Sequence, residues 1–120
     1  MSLLGKNLDT PDEVKEFENG RVDIVHLDNG LTVGRFRLRP GWRWSEHVKP
    51  IAGTDSCKAT HTGYVIAGRI HLRTDDGHEM DYGPGDAYAI PPGHDAWVVG
   101  DEDYVGVDVT GASEFGAASA

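Results

Sequence analysis

From Val22 onward the chain is a succession of short β-prone runs broken at close intervals by turn residues, and no other feature limits its fold so tightly. Val22-Asp23-Ile24-Val25-His26-Leu27 is followed by the turn Asp28-Asn29-Gly30 and then by Leu31-Thr32-Val33-Gly34-Arg35-Phe36-Arg37-Leu38. In the second run Leu31, Val33, Phe36 and Leu38 nearly alternate, and the break at Gly34 predicts a bulge. Further strands are expected over residues 58–67, 70–74, 79–82, 87–90, 97–99 and 104–109. Between them stand Ala67-Gly68-Arg69, Asp75-Asp76-Gly77, Gly83-Pro84-Gly85-Asp86 and Pro91-Pro92-Gly93, each with the glycine or proline that a tight turn needs. Many short strands at this spacing argue for an all-β sandwich or barrel. One short helix is predicted at the N-terminus, over residues 11–17: Thr10 caps it, Pro11 suits its first position, Glu13 closes a capping box, and Asn19-Gly20 ends it.

A chain of 120 residues fits one domain, with a core expected at about 20–110 and a loose tail of small and polar residues over 111–120. A domain of this size buries a sufficient core without disulfides, and the single cysteine, Cys57, cannot form an intramolecular bridge. Eleven basic residues against twenty acidic ones give a net charge of -9, which repels phosphate backbones and anionic surfaces, so neither nucleic acid nor membrane is an expected partner. No apolar run approaches a membrane span, and MSLLGKNLD lacks the charged-then-hydrophobic pattern of a secretion signal. The expectation is a soluble cytoplasmic protein.

The stretch GYVIAGRIHLRTDDGHEMDYGPGDAYAIPPGHDAW resembles the cupin superfamily. Gly41 followed after five residues by His47 is similar to the start of the first cupin signature, and His61 followed after six residues by Gly68 is similar to its end. Gly85-Asp86 and Pro91-Pro92-Gly93 are similar to the second signature. The resemblance implies a double-stranded β-helix, or jelly-roll, barrel with a metal held on inward-facing positions. It also implies pairing of two copies through their sheets, with the N-terminal segment open to exchange. The metal positions depart from the pattern. His47 keeps the first ligand, Lys49 replaces the second histidine, and His61 stands where a glutamate is usual. Ala96 stands at the last histidine position, although His94 directly follows Gly93.

If His61 points into the barrel, period-two alternation puts Cys57 and Ala59 on the same inward face. A metal set of His47, Cys57 and His61 follows, with His94 as a fourth ligand or as a donor behind the ligands. Imidazole and thiolate favour zinc, iron, nickel or copper, and no organic cofactor is indicated. Opposed to this, a histidine in a small barrel is often only hydrogen-bonded, and a lone cysteine is often a small buried hydrophobe. His94-Asp95 reads either as an imidazole oriented by its neighbour or as a loop fastened to the barrel. Trp42, Trp44 and Trp97, with Lys49 and Tyr64, form a candidate small-molecule pocket, set against ordinary core or interface packing. Direct pairing of Cys57 with His61 as a nucleophile is disfavoured, because residues four apart on a strand are about 13 Å apart. No phosphate loop, Cys-x-x-Cys pair or Gly-x-Ser-x-Gly elbow is present. Two functions remain open at this level: a metal-dependent enzyme (oxygenase, isomerase or hydrolase) acting on a small molecule, and a non-catalytic binding or sensing barrel with a degraded metal site.

Overall fold

A computed structural model describes residues 3–27 and 30–110. The turn expected at Asp28-Asn29 and the tail expected over 111–120 lie outside the described residues. The chain forms nine strands and two helical turns: β1 (Glu13–Phe17), β2 (Gly20–His26), β3 (Thr32–Leu38), α1 (Trp44–His47), α2 (Lys49–Ala52), β4 (His61–Ala67), β5 (Arg69–Thr74), β6 (Glu79–Tyr82), β7 (Ala87–Ile90), β8 (His94–Val99) and β9 (Tyr104–Thr110). They make a six-stranded sheet in the order β1-β2-β3-β9-β4-β7 and a three-stranded sheet in the order β6-β5-β8, with every pairing antiparallel. The inner faces enclose a core that includes Ile24, Phe36, Leu38, Val65, Leu72 and Val98. This is the jelly-roll arrangement, and the two sheets do not close into one continuous barrel.

The predicted N-terminal helix is instead a strand. Asn19-Gly20 leads out of a hairpin rather than ending a helix: Glu18 and Asn19 form the turn, Asn19 at φ 63°, and Phe17 pairs with Gly20 directly across it. A seven-residue helix gains few internal hydrogen bonds against its nucleation cost. Pairing with β2 gives the same residues a five-residue ladder and packs Phe17 against Trp42, ring centroids 6.4 Å apart.

The bulge expected at Gly34 is also absent, since β2 and β3 pair in unbroken register. Gly34, Phe36 and Leu38 face inward while Arg35 and Arg37 face outward. Register shifts occur in β4 instead, against β9. The rows across the large sheet explain the position of Gly34. Gly34 pairs with Asp108, Asp108 with Gly63, and Gly63 with Tyr88. Asp108, 1% exposed, is therefore flanked on both sides by residues without side chains, which leaves space for larger neighbours to reach its carboxylate.

On the outer face of the same sheet, Asp23 is buried beneath the N-terminal segment and takes Arg21 Nε at 2.7 Å and Arg35 Nη2 at 2.9 Å, while Arg35 Nη1 also reaches Asp9 at 2.9 Å. Burial raises the Asp23 carboxyl, but the hydrogen bonds and charges of Arg21 and Arg35 outweigh it and hold the group below its ordinary value. A carboxyl depressed on folding stabilises the protein above its unfolded value of about 4, and that share is lost as pH falls through the folded value. Asp23→Ala is expected to cost about 2–3 kcal/mol at neutral pH in urea melts. Asp23→Asn should flatten part of the acid limb. An unchanged limb would remove Asp23 from that account.

Candidate metal centre

The site is built where the two sheets meet at one end of the core. β4 begins at His61, β8 begins at His94, and the segment carrying Cys57 pairs with His94 through an isolated antiparallel bridge. Cys57 N–H donates to His94 C=O at 2.8 Å, and Gly93 N–H donates to Cys57 C=O at 2.7 Å. These backbone bonds fix Cys57 beside His94. The strand expected from residue 58 begins only at His61, so residues 58–60 belong to no ladder. Alternation of burial nevertheless holds there, with Cys57, Ala59 and His61 at 3%, 2% and 6% exposure.

Cys57, His61 and His94 each present one ligand atom, all within 4.8 Å of one another, and all three residues are buried. Cys57 Sγ lies 3.8 Å from His61 Nε2. The separation of about 13 Å expected between them assumes an extended strand, and the chain between Cys57 and His61 belongs to none, so the two side chains meet. His61 and His94 meet edge to face with ring centroids 5.3 Å apart.

Each imidazole is held from behind. His61 Nδ1 donates to Asp108 Oδ2 at 2.5 Å, and His94 Nδ1 donates to the Pro91 carbonyl at 2.7 Å. With Nδ1 carrying the proton in both rings, each Nε2 offers a lone pair when the ring is neutral. Asp108 also accepts from the Tyr88 hydroxyl, and Tyr88 is bonded in turn to Tyr104. A carboxylate only accepts, so Tyr88 donates to Asp108 and Tyr104 donates to Tyr88. Burial, then the charge of Asp108, keeps the Tyr88 phenol far above its ordinary value. These residues were not singled out in the sequence. In Tyr104-Val105-Gly106-Val107-Asp108-Val109 the tyrosine, glycine and aspartate face the site and the valines lie on the opposite face of the sheet, where Val107 is itself buried, the reverse of the usual hydrophobic reading.

Burial alone would raise the Cys57 thiol, but hydrogen bonds from His61 and His94 bring it down to about 6. Burial likewise opposes a charged His61, yet its bonds to Asp108 and Cys57 raise it to about 9. The metal-free group at neutral pH is thus a thiolate and an imidazolium backed by a carboxylate. Iodoacetamide should alkylate metal-free Cys57 with a rate that inflects near pH 6. An inflection above about 8, as for an ordinary thiol, would contradict this charge state.

The other expected site residues are dispersed. His47 closes α1 rather than entering from a strand. Its Nδ1 accepts the Arg43 N–H at 3.0 Å, and its Nε2 faces Glu18 at 3.6 Å, so it does not join the Cys57–His61–His94 group. Trp42 and Trp44 are buried at 2% and 1% exposure and line an inner cavity beside His61 and His94. Arg43, between them, projects outward onto Trp97, its guanidinium 4.2 Å from the ring. Trp97 therefore belongs to the outer face, where it also stacks on His71 at 4.6 Å, and not to the pocket. Lys49 stands on α2 with its amine 4.0 Å from Asp55, and Tyr64 is half exposed on the outside of the large sheet. Tyr64 leaves the pocket because it lies on the outer face of β4, opposite His61 and Val65, and Lys49 because α2 turns Ala52 inward instead. His94 and Asp95 do not pair: His94 points inward, while Asp95 accepts Ser45 N–H at 3.1 Å and Arg43 Nε at 3.4 Å.

No helix among the described residues is long and apolar enough to cross a membrane. No curated protein sequence matches the chain. The family model described as "Cupin domain" matches residues 52–110, a span that includes Cys57, His61, His94 and Asp108. Solved structures share the fold at low identity. An oxalate decarboxylase from Lactobacillus farciminis, in a formate complex, has a TM-score of 0.60 at 19% identity over 82% of this chain, which spans 30% of that chain. A protein of unknown function from Rhizobium leguminosarum has a TM-score of 0.61 at 19% identity, covering 92% of this chain and 97% of its own. A cupin-like protein from Thermotoga maritima has a TM-score of 0.55 at 18% identity, covering 82% and 74%. The sheet order, the cupin-domain match over residues 52–110 and these neighbours agree, and the chain has the cupin fold.

Proposed function

We propose that this cupin-fold domain holds one divalent transition metal through Cys57 Sγ, His61 Nε2 and His94 Nε2 and presents it to a small molecule in the adjoining cavity. The observation that carries the reading is the convergence of three buried donors, with each imidazole's other nitrogen already bonded to Asp108 or to Pro91. Metal-ligating histidines are oriented in this way. One thiolate and two imidazoles suit zinc, iron, nickel or copper, and leave a fourth position open. A metal so bound supplies Lewis acidity. The chain's own contribution is to fix the three donors, to hold the Nδ1 protons on His61 and His94, and to surround the site with apolar walls that exclude bulk water.

Oxalate, named in one of the similar structures, is a poor candidate ligand here, because it carries two charges and none of the chain's eleven lysines and arginines lines the cavity to share them with the metal. Whether the site turns a substrate over or only binds one is decided by activity across neutral small molecules. Metal analysis of the untagged protein tests the primary reading: about one equivalent of zinc or iron is expected after loading and dialysis. Content below about a tenth of an equivalent would sink it. Self-association through the outer face of the large sheet, where Tyr64, Ile66 and Val109 stand exposed, belongs to the same proposal. A dimer mass in light scattering at micromolar concentration would support it, and a monomer mass would remove it.

A further inference from the structure

The cavity between the sheets has features that the metal group does not account for. It measures about 40 Å³ and is walled largely by apolar side chains such as Phe36, Leu38, Ile70, Leu72 and Ile90. On this measure one water needs about 10–15 Å³, so the space holds only a few non-hydrogen atoms. Its ionisable end is balanced or negative, since the Asp108 carboxylate already faces His61 and no lysine or arginine is among the lining residues. The tyrosine hydroxyls are engaged, Tyr104 on Tyr88 and Tyr88 on Asp108. Trp44 is different. It lines the cavity at 1% exposure, and its indole Nε1 is buried with no hydrogen-bond partner among the described residues. An indole N–H only donates, so what satisfies it is an acceptor.

We propose that this cavity receives a small uncharged molecule with one acceptor oxygen, of the class of a short aldehyde or ketone, whose oxygen takes the Trp44 Nε1–H. In the metal-free protein a carboxylate of the same shape is turned away, because it would be buried among apolar walls with no lysine or arginine beside it and with the His61 ring already matched by Asp108. The inference rests on the metal reading only for what the molecule meets at the far end. The apolar walls and the indole donor stand without it.

Acetone and acetate, nearly equal in shape and differing in charge, are the probes. Proton–nitrogen correlation spectra of the full chain report its three indole N–H groups separately, with and without one equivalent of zinc. Acetone is expected to move the Trp44 resonance along a saturating curve, and acetate to bind the zinc-free protein at least about tenfold more weakly. Trp44→Phe, which keeps an aromatic ring but removes the donor, should weaken acetone about fivefold without changing the zinc stoichiometry. Should that variant fold poorly, Ala96→Val narrows the same cavity and should also weaken acetone while the indole resonances stay dispersed. An unmoved Trp44 resonance at saturating acetone, or acetate binding the zinc-free protein as well as acetone, would overturn the proposal. A saturating shift in a protein that binds no zinc would keep this inference and end the metal reading. Zinc binding with an unmoved indole would do the reverse.

Discussion

His61→Ala should reduce bound metal from about one equivalent to below about a tenth, and Cys57→Ala should do the same, while His47→Ala leaves the content unchanged. The contrast follows from where the ring nitrogens point. His61 Nε2 faces Cys57 Sγ at 3.8 Å with its Nδ1 bonded to Asp108, so removing it takes away a donor already aimed at the site. His47 has both nitrogens engaged elsewhere, on the Arg43 amide and toward Glu18, and holds down α1 rather than a metal. Stabilisation by metal should follow the same pattern, because a ligand that binds only the native state raises the melting temperature in proportion to the logarithm of its excess. Zinc should raise the melting temperature of the parent chain and of His47→Ala, and should leave Cys57→Ala and His61→Ala where they were. Metal lost from His47→Ala would refute the ligand set drawn here, since it would return that residue to the site.

That His47 needed the structure to be placed shows where sequence reading stops for this fold. The strands were legible because glycine and proline clusters punctuate them, and β5, β6 and β7 fall where those clusters predict. Cys57 and His61 were legible as a pair on one face because alternation survives even where no ladder forms. The N-terminal strand was not legible, since Thr10-Pro11 and Asn19-Gly20 signal a helix and a hairpin with the same residue types, and only pairing with β2 decides. Trp97 and Lys49 were misplaced for a related reason. Lys49 faces outward because α1 and α2 break the alternation after Trp44, and Trp97 because β8 turns His94, Ala96 and Val98 inward.

Asp108 was hidden most thoroughly, and its removal carries the second large effect. It is enclosed by the row Gly34-Asp108-Gly63-Tyr88, which exists only once four strands are in register, and its own strand presents valines to the outside. Asp108→Ala strands a buried imidazole N–H and a buried phenol hydroxyl together, so a loss of about 3–5 kcal/mol in denaturant melts is expected. Metal affinity should fall a further 10- to 100-fold in the fraction that folds, about the usual cost of losing the carboxylate behind a ligating histidine. Asp108→Asn separates the two effects. The amide preserves volume and one acceptor, so stability should recover in large part, while the missing charge leaves His61 less basic and the metal weaker. Tyr88→Phe gives the complementary arm. It removes a donor to Asp108 without touching His61, and in a double-mutant cycle with Asp108→Asn the stability terms should couple by about 1 kcal/mol or more, since the two groups share one hydrogen bond. Full additivity of the two changes would mean that the Tyr88–Asp108 bond does not hold the site together. Asp108 would then act on His61 alone.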